Sequence, residues 1–363
     1  MNELETQILD VIQDGFPAVE RPYAAIADIL TQRLEGGVVA NFSEGQVYEA
    51  VEKLRNAGII RRIGGVYDSR RLGYTSRLCC GIVPEVACNA FEGVSPIEQF
   101  ASAVNEIPSI THNYIRSHKY NVWFTVIGRS EQEIREVVST LERRTALGDT
   151  HILNARKMFK INTVMHRKGA SPEGGGAACR HRGGTSRKSP ELDDFDRTRI
   201  RILSGDLPHS LTPFTDVAEM IGMERGKIVE PSRGLDDLLE GINSDLLSGR
   251  MRRFGAILRH QKAGFAENAM VCFNICCSEN LPEGPSGVDD AGALLAEEPF
   301  VSHCYQRDSF KGFPYDVYAM VHAQSPEDLN AKIELLVKKM GNPGYAVLRS
   351  LRELKKTSFK FDI

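Results

Sequence analysis

Apolar positions in LETQILDVIQDGF (4–16) recur every three to four residues, the period of a helix with one buried stripe. The same period returns in AAIADILTQRL (24–34) and in SEGQVYEAVEKLRNAG (43–58), where Ser43 is suited to cap the helix. The pattern then changes. IIRRIGGVYDSRRLGY (59–74) reads as a short two-stranded wing. Beyond it, extended runs alternate with helical ones: strand SRLCCGIVP, helix 96–106, strands SITHNYIRS and YNVWFTVIG, helix SEQEIREVVSTLERRT, strand HILNARKMF.

This programme runs twice. Pro22-Tyr23 matches Pro213-Phe214, RRIGG (61–65) matches RRFGA (252–256), Gly73-Tyr74 matches Gly264-Phe265, and His112 matches His303, all at an offset of 191. After the histidines the offset becomes 195, so Tyr120 matches Tyr315 and Ser130 matches Ser325. The four extra residues fall in the Gly/Pro-containing stretch FKGFP between Arg307 and Tyr315. The second copy repeats the strands and helices as NAMVCFNI, 288–298, FVSHCYQR, YDVYAMVHA, PEDLNAKIELLVKKM and YAVLRSLREL. Constant register over so long a span marks a tandem duplication.

The pattern predicts an α+β fold of two tandem units, each a winged helix-turn-helix followed by a ferredoxin-like βαββαβ domain. The expected boundaries are 1–74 and 75–165 for the first unit, then 192–265 and 266–363 for the second. Residues 166–191, rich in Gly, Ser, Pro and basic side chains, are expected to be a flexible linker.

Composition narrows the function. A formal net charge of −3 gives no global attraction to nucleic acid or anionic lipid. No apolar run reaches the ~20 residues of a membrane span, and the acidic amphipathic N-terminus is unlike a signal peptide, so a cytoplasmic location is expected. None of the eight cysteines forms a C-x-x-C pair; reduced core thiols are expected rather than zinc or an iron–sulfur cluster. A helix-turn-helix suggests DNA, but the charges argue otherwise. The third helix of the first copy carries Glu44, Glu49 and Glu52 against Lys53 and Arg55, and 234–249 carries Asp236, Asp237, Glu240 and Asp245 without Lys or Arg. An acidic recognition helix repels phosphate, so no DNA partner is expected.

The candidate chemistry sits in His-x-Tyr-x-Arg. On a strand, residues i, i+2 and i+4 share a face, so His112, Tyr114 and Arg116 project together, as do His303, Tyr305 and Arg307. One such histidine alone reads as a hydrogen-bonded structural residue. Two copies, each with a phenol and a guanidinium, suit an anionic, metal-containing ligand on which protons move. The wing adds paired arginines, Arg61 and Arg62 matching Arg252 and Arg253, with Arg259 nearby, suited to holding carboxylates. His118 and His260 have serine counterparts, Ser309 and Ser69, so the copies are not equivalent.

The runs IIRRIGGVYDSRRLGY, THNYIRSHKYNVWFTV, RMRRFGAILRHQKAGF and VSHCYQRDSFKGFPYDVYAMVH resemble the sirohaem decarboxylase family, Lrp/AsnC-like enzymes of the alternative haem pathway. The resemblance covers nearly the whole chain apart from the linker, and its two halves look like the two subunit types fused. It implies loss of the C12 and C18 acetate carboxyl groups of sirohaem as CO2, giving 12,18-didecarboxysirohaem, with no cofactor beyond the substrate. It implies His112, Tyr114, His118, His303 and Tyr305 as catalytic candidates, with His112 and His303 also candidate axial ligands of the substrate iron. Arg61, Arg62, Arg116, Arg252, Arg253, Arg259, His260 and Arg307 would bind carboxylates. Intramolecular pairing of the halves is expected, with further dimerisation left open. A tetrapyrrole-responsive regulator and a non-catalytic carrier are the competing readings.

Overall fold

The computed structural model describes residues 1–33, 41–84, 94–161, 192–224, 231–259, 264, 267–276 and 284–361. The expected linker and His260 lie outside the described residues. The first half contains α1 (Glu3–Asp14), α2 (Pro22–Arg33), α3 (Glu44–Asn56), β1 (Ile60–Tyr67), β2 (Thr75–Ile82), α4 (Pro96–Glu106), β3 (Ile110–Arg116), β4 (Val122–Gly128), α5 (Glu131–Arg144), β5 (Gly148–Leu153) and β6 (Ala155–Ile161). The second contains α6 (Asp194–Leu203), α7 (Pro213–Glu224), α8 (Pro231–Leu247), β7 (Met251–Leu258), β8 (Glu267–Phe273), α9 (Val288–Glu297), β9 (Val301–Arg307), β10 (Val317–Ala323), α10 (Pro326–Lys339) and β11 (Tyr345–Lys356).

These elements gather by kind rather than by half. Met1–Leu72, His166–Ala263 and Lys360–Ile363 form one compact unit; Gly73–Met165 and Gly264–Phe359 form the other. Each unit therefore mixes the two repeats.

In the helical unit, Ser43 caps α3 by accepting from the Gln46 N–H (3.3 Å). Ile8, Ile12, Tyr23, Ile26, Leu30, Val47 and Leu54 bury the inner faces of α1–α3, and Ile200, Phe214, Val217, Leu238 and Ile242 do so for α6–α8. The expected two-stranded wing needs correction. Each half supplies one strand, and β1 pairs antiparallel with β7, Gly64 opposite Gly255. The reason is close packing: a Cβ on Gly64 would collide with the Gly205 carbonyl, and one on Gly255 with the Ile12 carbonyl. Reciprocal bonds tie the halves, from the Phe16 N–H to the Phe254 carbonyl (2.9 Å) and from the Leu207 N–H to the Ile63 carbonyl (2.8 Å). The rest of the expected wing is a 3-10 turn, Ser69–Leu72.

The other unit is a nine-stranded antiparallel sheet, ordered β5-β2-β4-β3-β11-β8-β10-β9-β6. Its logic is exchange. Tyr345–Arg349 of β11 pairs with β8 of its own half, and Ser350–Lys356 with β3 of the first. In the first half, β5 pairs with β2 while β6 pairs with β9 of the second. Ser130 and Ser325, matched in the repeat, cap α5 and α10.

Three cores follow. Val122, Phe124 and Val126 face Phe100, Ile134 and Leu141 of α4 and α5; Val271, Val317 and Val321 face Leu295, Leu329 and Ile333 of α9 and α10. The opposite strand faces, with Cys80, Trp123, Met270, Cys272, Tyr318 and Leu348, form a third core drawn from both halves. Cys79 and Cys304 are buried thiols pushed up to about 12 by burial, inert at neutral pH. Among the described residues no cluster of three His, Cys, Asp or Glu could hold a metal, and no helix is long and apolar enough to cross a membrane.

Candidate active site

The two histidine strands share an irregularity that aims their side chains. In β3, Ile110 lies opposite Val126 but His112 opposite Thr125, so two residues of β3 answer one of β4. In β9, Val301 lies opposite Val321 but His303 opposite Met320. Thr111 and Ser302 are the extra residues of these bulges. Strict alternation would send His112 to the face of Ile110, which belongs to the helix-side core. The bulge turns it over. His112, Tyr114 and Arg116 thus share the face of Trp123, and His303, Tyr305 and Arg307 the face of Tyr318.

Behind each histidine stands a hydroxyl. Thr111 Oγ1 is 2.9 Å from Nδ1 of His112, and Ser302 Oγ is 2.8 Å from Nδ1 of His303. Among the described residues the chain goes on in the second half alone, from Ser302 Oγ to Nε2 of the buried His322 at 2.8 Å. Thr111, Ser302 and His322 were not among the expected site residues. A hydroxyl directly before the histidine in both repeats was the available signal; His322 had none, because the position matching it is Ile127.

Arg116, buried, and Arg307, half-buried, stand beside their tyrosines. Arg116 sits 5.1 Å from the Tyr114 ring centre, and Arg307 sits 4.7 Å from that of Tyr305. Arg116 Nη1 donates to the Leu348 carbonyl (3.1 Å) and to Ser350 Oγ (3.0 Å); Arg307 Nη1 donates to the matching carbonyl of Leu153 (3.2 Å). Arg116 Nη2 also reaches Met320 Sδ (3.9 Å), so a first-half guanidinium touches the residue opposite His303. Burial lowers Arg116 to about 10 and lowers Arg307 too, leaving Arg116 charged at neutral pH. Neither forms an ion pair with a carboxylate among the described residues, whereas buried charges are ordinarily paired.

The remaining candidates are placed differently. His118 lies outside β3, in the bend that follows it, where its backbone N–H donates to the Arg116 carbonyl (2.9 Å). Its Nδ1 accepts from the Tyr120 N–H (3.1 Å), its ring meets Phe313 edge-on at 5.2 Å, and burial lowers its pKa. The wing arginines, expected to hold carboxylates, are largely built into the helical unit. Arg62 Nη1 donates to the Gly205 carbonyl (3.0 Å), Arg253 Nη1 to the Gln13 carbonyl, and Arg252 pairs with Asp68 (3.1 Å). Burial lowers Arg62 and Arg253 to about 10. Arg61 lies in β1; Arg259, exposed, ends β7 with its N–H on the Ile59 carbonyl.

An AsnC-like ligand-binding domain matches twice, at residues 71–160 and 262–355. The chain is 30% identical to the sirohaem decarboxylase of Hydrogenobacter thermophilus, over 99% of this chain and 95% of that protein. Half-length matches go to the sirohaem decarboxylase β and α subunits of Desulfovibrio desulfuricans, each 37% identical, over 48% and 44% of this chain and 98% and 82% of those subunits. A crystal structure of the sirohaem decarboxylase NirDL in complex with an iron-uroporphyrin III analogue is similar at a TM-score of 0.64 and 26% identity, covering 98% of this chain and 93% of that one.

Proposed function

The chain belongs to the sirohaem decarboxylase family, with both subunit types joined in one polypeptide, and from that premise we propose how its own residues carry out the reaction. It is a carboxy-lyase acting on sirohaem, in the direction of haem biosynthesis. In our reading each half is a winged helix-turn-helix followed by a ferredoxin-like domain. The exchange of β6 and β11 supports pairing of the halves within one chain.

The observation that carries the reading is the pair of desolvated guanidinium groups, Arg116 and Arg307, that have no carboxylate partner among the described residues. Sirohaem brings eight carboxylates, and in this reading Arg116 and Arg307 meet them; support comes from their sharing strand faces with His112 and His303. Losing CO2 from an acetate arm leaves an electron pair on a carbon next to a pyrrole. Protonating the ring before the carbon–carbon bond breaks gives that pair somewhere to go, and each turnover replaces one carboxylate by one hydrogen. His303 or His112 is the proton donor, the other the candidate iron ligand, and Tyr114 and Tyr305 orient the arms. Tight clamping of the departing carboxylate would stabilise the ground state, so the arginines serve the carboxylates that stay. Electron count is unchanged, so the reading needs no redox cofactor, and 12,18-didecarboxysirohaem is the product.

A regulator reading is disfavoured by charges. In α3, Lys53 is held by Glu5 (2.6 Å) and Arg55 by Asp206 (2.8 Å), while Asp236, Asp237 and Glu240 of α8 are exposed. Asp245, counted with them from sequence, is instead buried between Arg199 and Arg250.

Anaerobic incubation with sirohaem, followed by mass analysis of the pigment, tests the reading. Loss of two carboxyl groups is expected, and His112→Ala and His303→Ala should each cut turnover by about 100-fold or more. Bound but unaltered pigment would identify a carrier; full activity in both variants would make the shared cluster structural.

A further inference from the structure

We infer that Ser302 and His322 are positioning residues for His303, holding its Nδ1 so that Nε2 is the nitrogen the second half presents to the macrocycle. This rests on the tetrapyrrole reading above and goes beyond it by separating the two histidines.

The geometry is a chain of three side chains. Ser302 Oγ lies 2.8 Å from Nδ1 of His303 and 2.8 Å from Nε2 of His322. A hydroxyl has one proton, so it donates to one ring and accepts from the other. Bonded on both sides it can no longer rotate freely, and the orientation of each ring is coupled to the other. Ser302 can do this because it is the extra residue of the β9 bulge, beside the end of β10.

The backbone at the far end of the chain is held. His322 is buried, its backbone N–H donates to the Phe300 carbonyl (3.0 Å), and its backbone carbonyl accepts from Lys332 Nζ (3.1 Å). Lys332 is in turn paired with Asp328 on α10 (2.7 Å). Across the ladder from His322 stands Asn268, which accepts from Ser350, the hydroxyl that Arg116 also contacts. The support of His303 and the support of Arg116 thus meet at one strand pair.

In the first half the residues matching this device differ. Thr111 is 2.9 Å from Nδ1 of His112, but Ile127, matching His322, offers no polar atom. Groups that orient a reacting or ligating imidazole through its other nitrogen commonly matter 10–100-fold.

The experiment uses the full chain with sirohaem under anaerobic conditions, comparing His322→Phe, Ser302→Ala and Ser302→Thr. The first two should lower kcat by about tenfold or more, leave KM within about twofold, and alter the absorption band of the bound pigment. Ser302→Thr, which keeps the hydroxyl, should restore both. Circular dichroism and melting curves establish that the variants fold. Wild-type kcat and spectrum in His322→Phe would overturn the inference while leaving the decarboxylase reading intact, and so would a Ser302→Thr variant as impaired as Ser302→Ala. A wild-type protein that binds sirohaem without releasing CO2 refutes the decarboxylase reading alone, because the pigment spectrum still reports the chain. One that ignores sirohaem refutes both.

Discussion

Residues 8, 54 and 59 of the first repeat are Ile, Leu and Ile; their counterparts 199, 245 and 250 in the second are Arg, Asp and Arg. Ile8 and Leu54 are fully buried. Asp245 is equally buried, with Arg199 Nη2 at 3.0 Å and Arg250 Nη1 at 2.7 Å on its two oxygens. One fold position is thus filled once by hydrocarbon and once by an ion triad. The difference teaches that the shared fold does not require the charges. Desolvating three ions offsets most of their mutual attraction, so their contribution to stability is small although losing one is severe.

Breaking the triad should give the largest effect. Asp245→Ala is expected to destabilise the chain by about 3–5 kcal/mol, because two guanidinium groups lose their buried partner. Importing the first-half solution, Arg199→Ile with Asp245→Leu and Arg250→Ile, should be neutral or stabilising by about 1–4 kcal/mol. Urea unfolding of both proteins checks the pair; a triple variant as weak as the single one would contradict the comparison.

The second contrast is the four-residue insertion. Phe313, fully buried, lies against Trp123 and its repeat counterpart Tyr318 (5.5 and 6.0 Å) and against Tyr120 and its counterpart Tyr315 (6.1 and 4.7 Å). It fills a place where the repeats meet, and one residue suffices for both. Phe313→Ala should cost about 3–5 kcal/mol in denaturant unfolding. A cost below 1 kcal/mol would mean that the neighbouring rings collapse into the space.

Arg116 sharpens the comparison of the two sites. Arg116→Met, or Arg307→Met, keeps volume and removes a desolvated charge that has no carboxylate partner among the described residues. Either should weaken pigment binding by about tenfold, at no loss of melting temperature. Unchanged affinity with a lower melting temperature would make these arginines structural braces.

The smallest expected effect concerns Asp68, which stands where the second repeat has Arg259. Burial alone would raise its pKa, but hydrogen bonds from Arg70 and the charge of Arg252 bring it down to about 2. A carboxylate depressed on folding contributes stability that is complete above its ordinary value near 3.8 and is lost as pH falls towards about 2. Asp68→Asn should therefore flatten the melting-temperature profile over that acid window and leave it unchanged in shape above about pH 5.

Much of this molecule was written locally. Helical period, the Ser43, Ser130 and Ser325 caps and most of the alternating strands are consequences of short stretches of chain, and the structure reproduces them; the expected strand HILNARKMF is instead split at Asn154 into β5 and β6, because its two ends pair with different strands. The pairing of His, Tyr and Arg on one face was legible for the same reason, since alternation is a property of a strand by itself. What the sequence could not decide is which face. Ile110 and His112 would share one by alternation, and only the bulge against β4 separates them. The same limit explains the wing, whose partner is a strand 191 residues away, and His322, whose meaning depends on a hydroxyl in a neighbouring strand. The arginines repeat the lesson: Arg62 and Arg116 look alike in sequence, yet one is spent on the Gly205 carbonyl and the other has no carboxylate partner among the described residues. Local periodicity fixes what an element is; long-range hydrogen bonding and desolvation, which involve residues far apart in the chain, decide what its side chains are for.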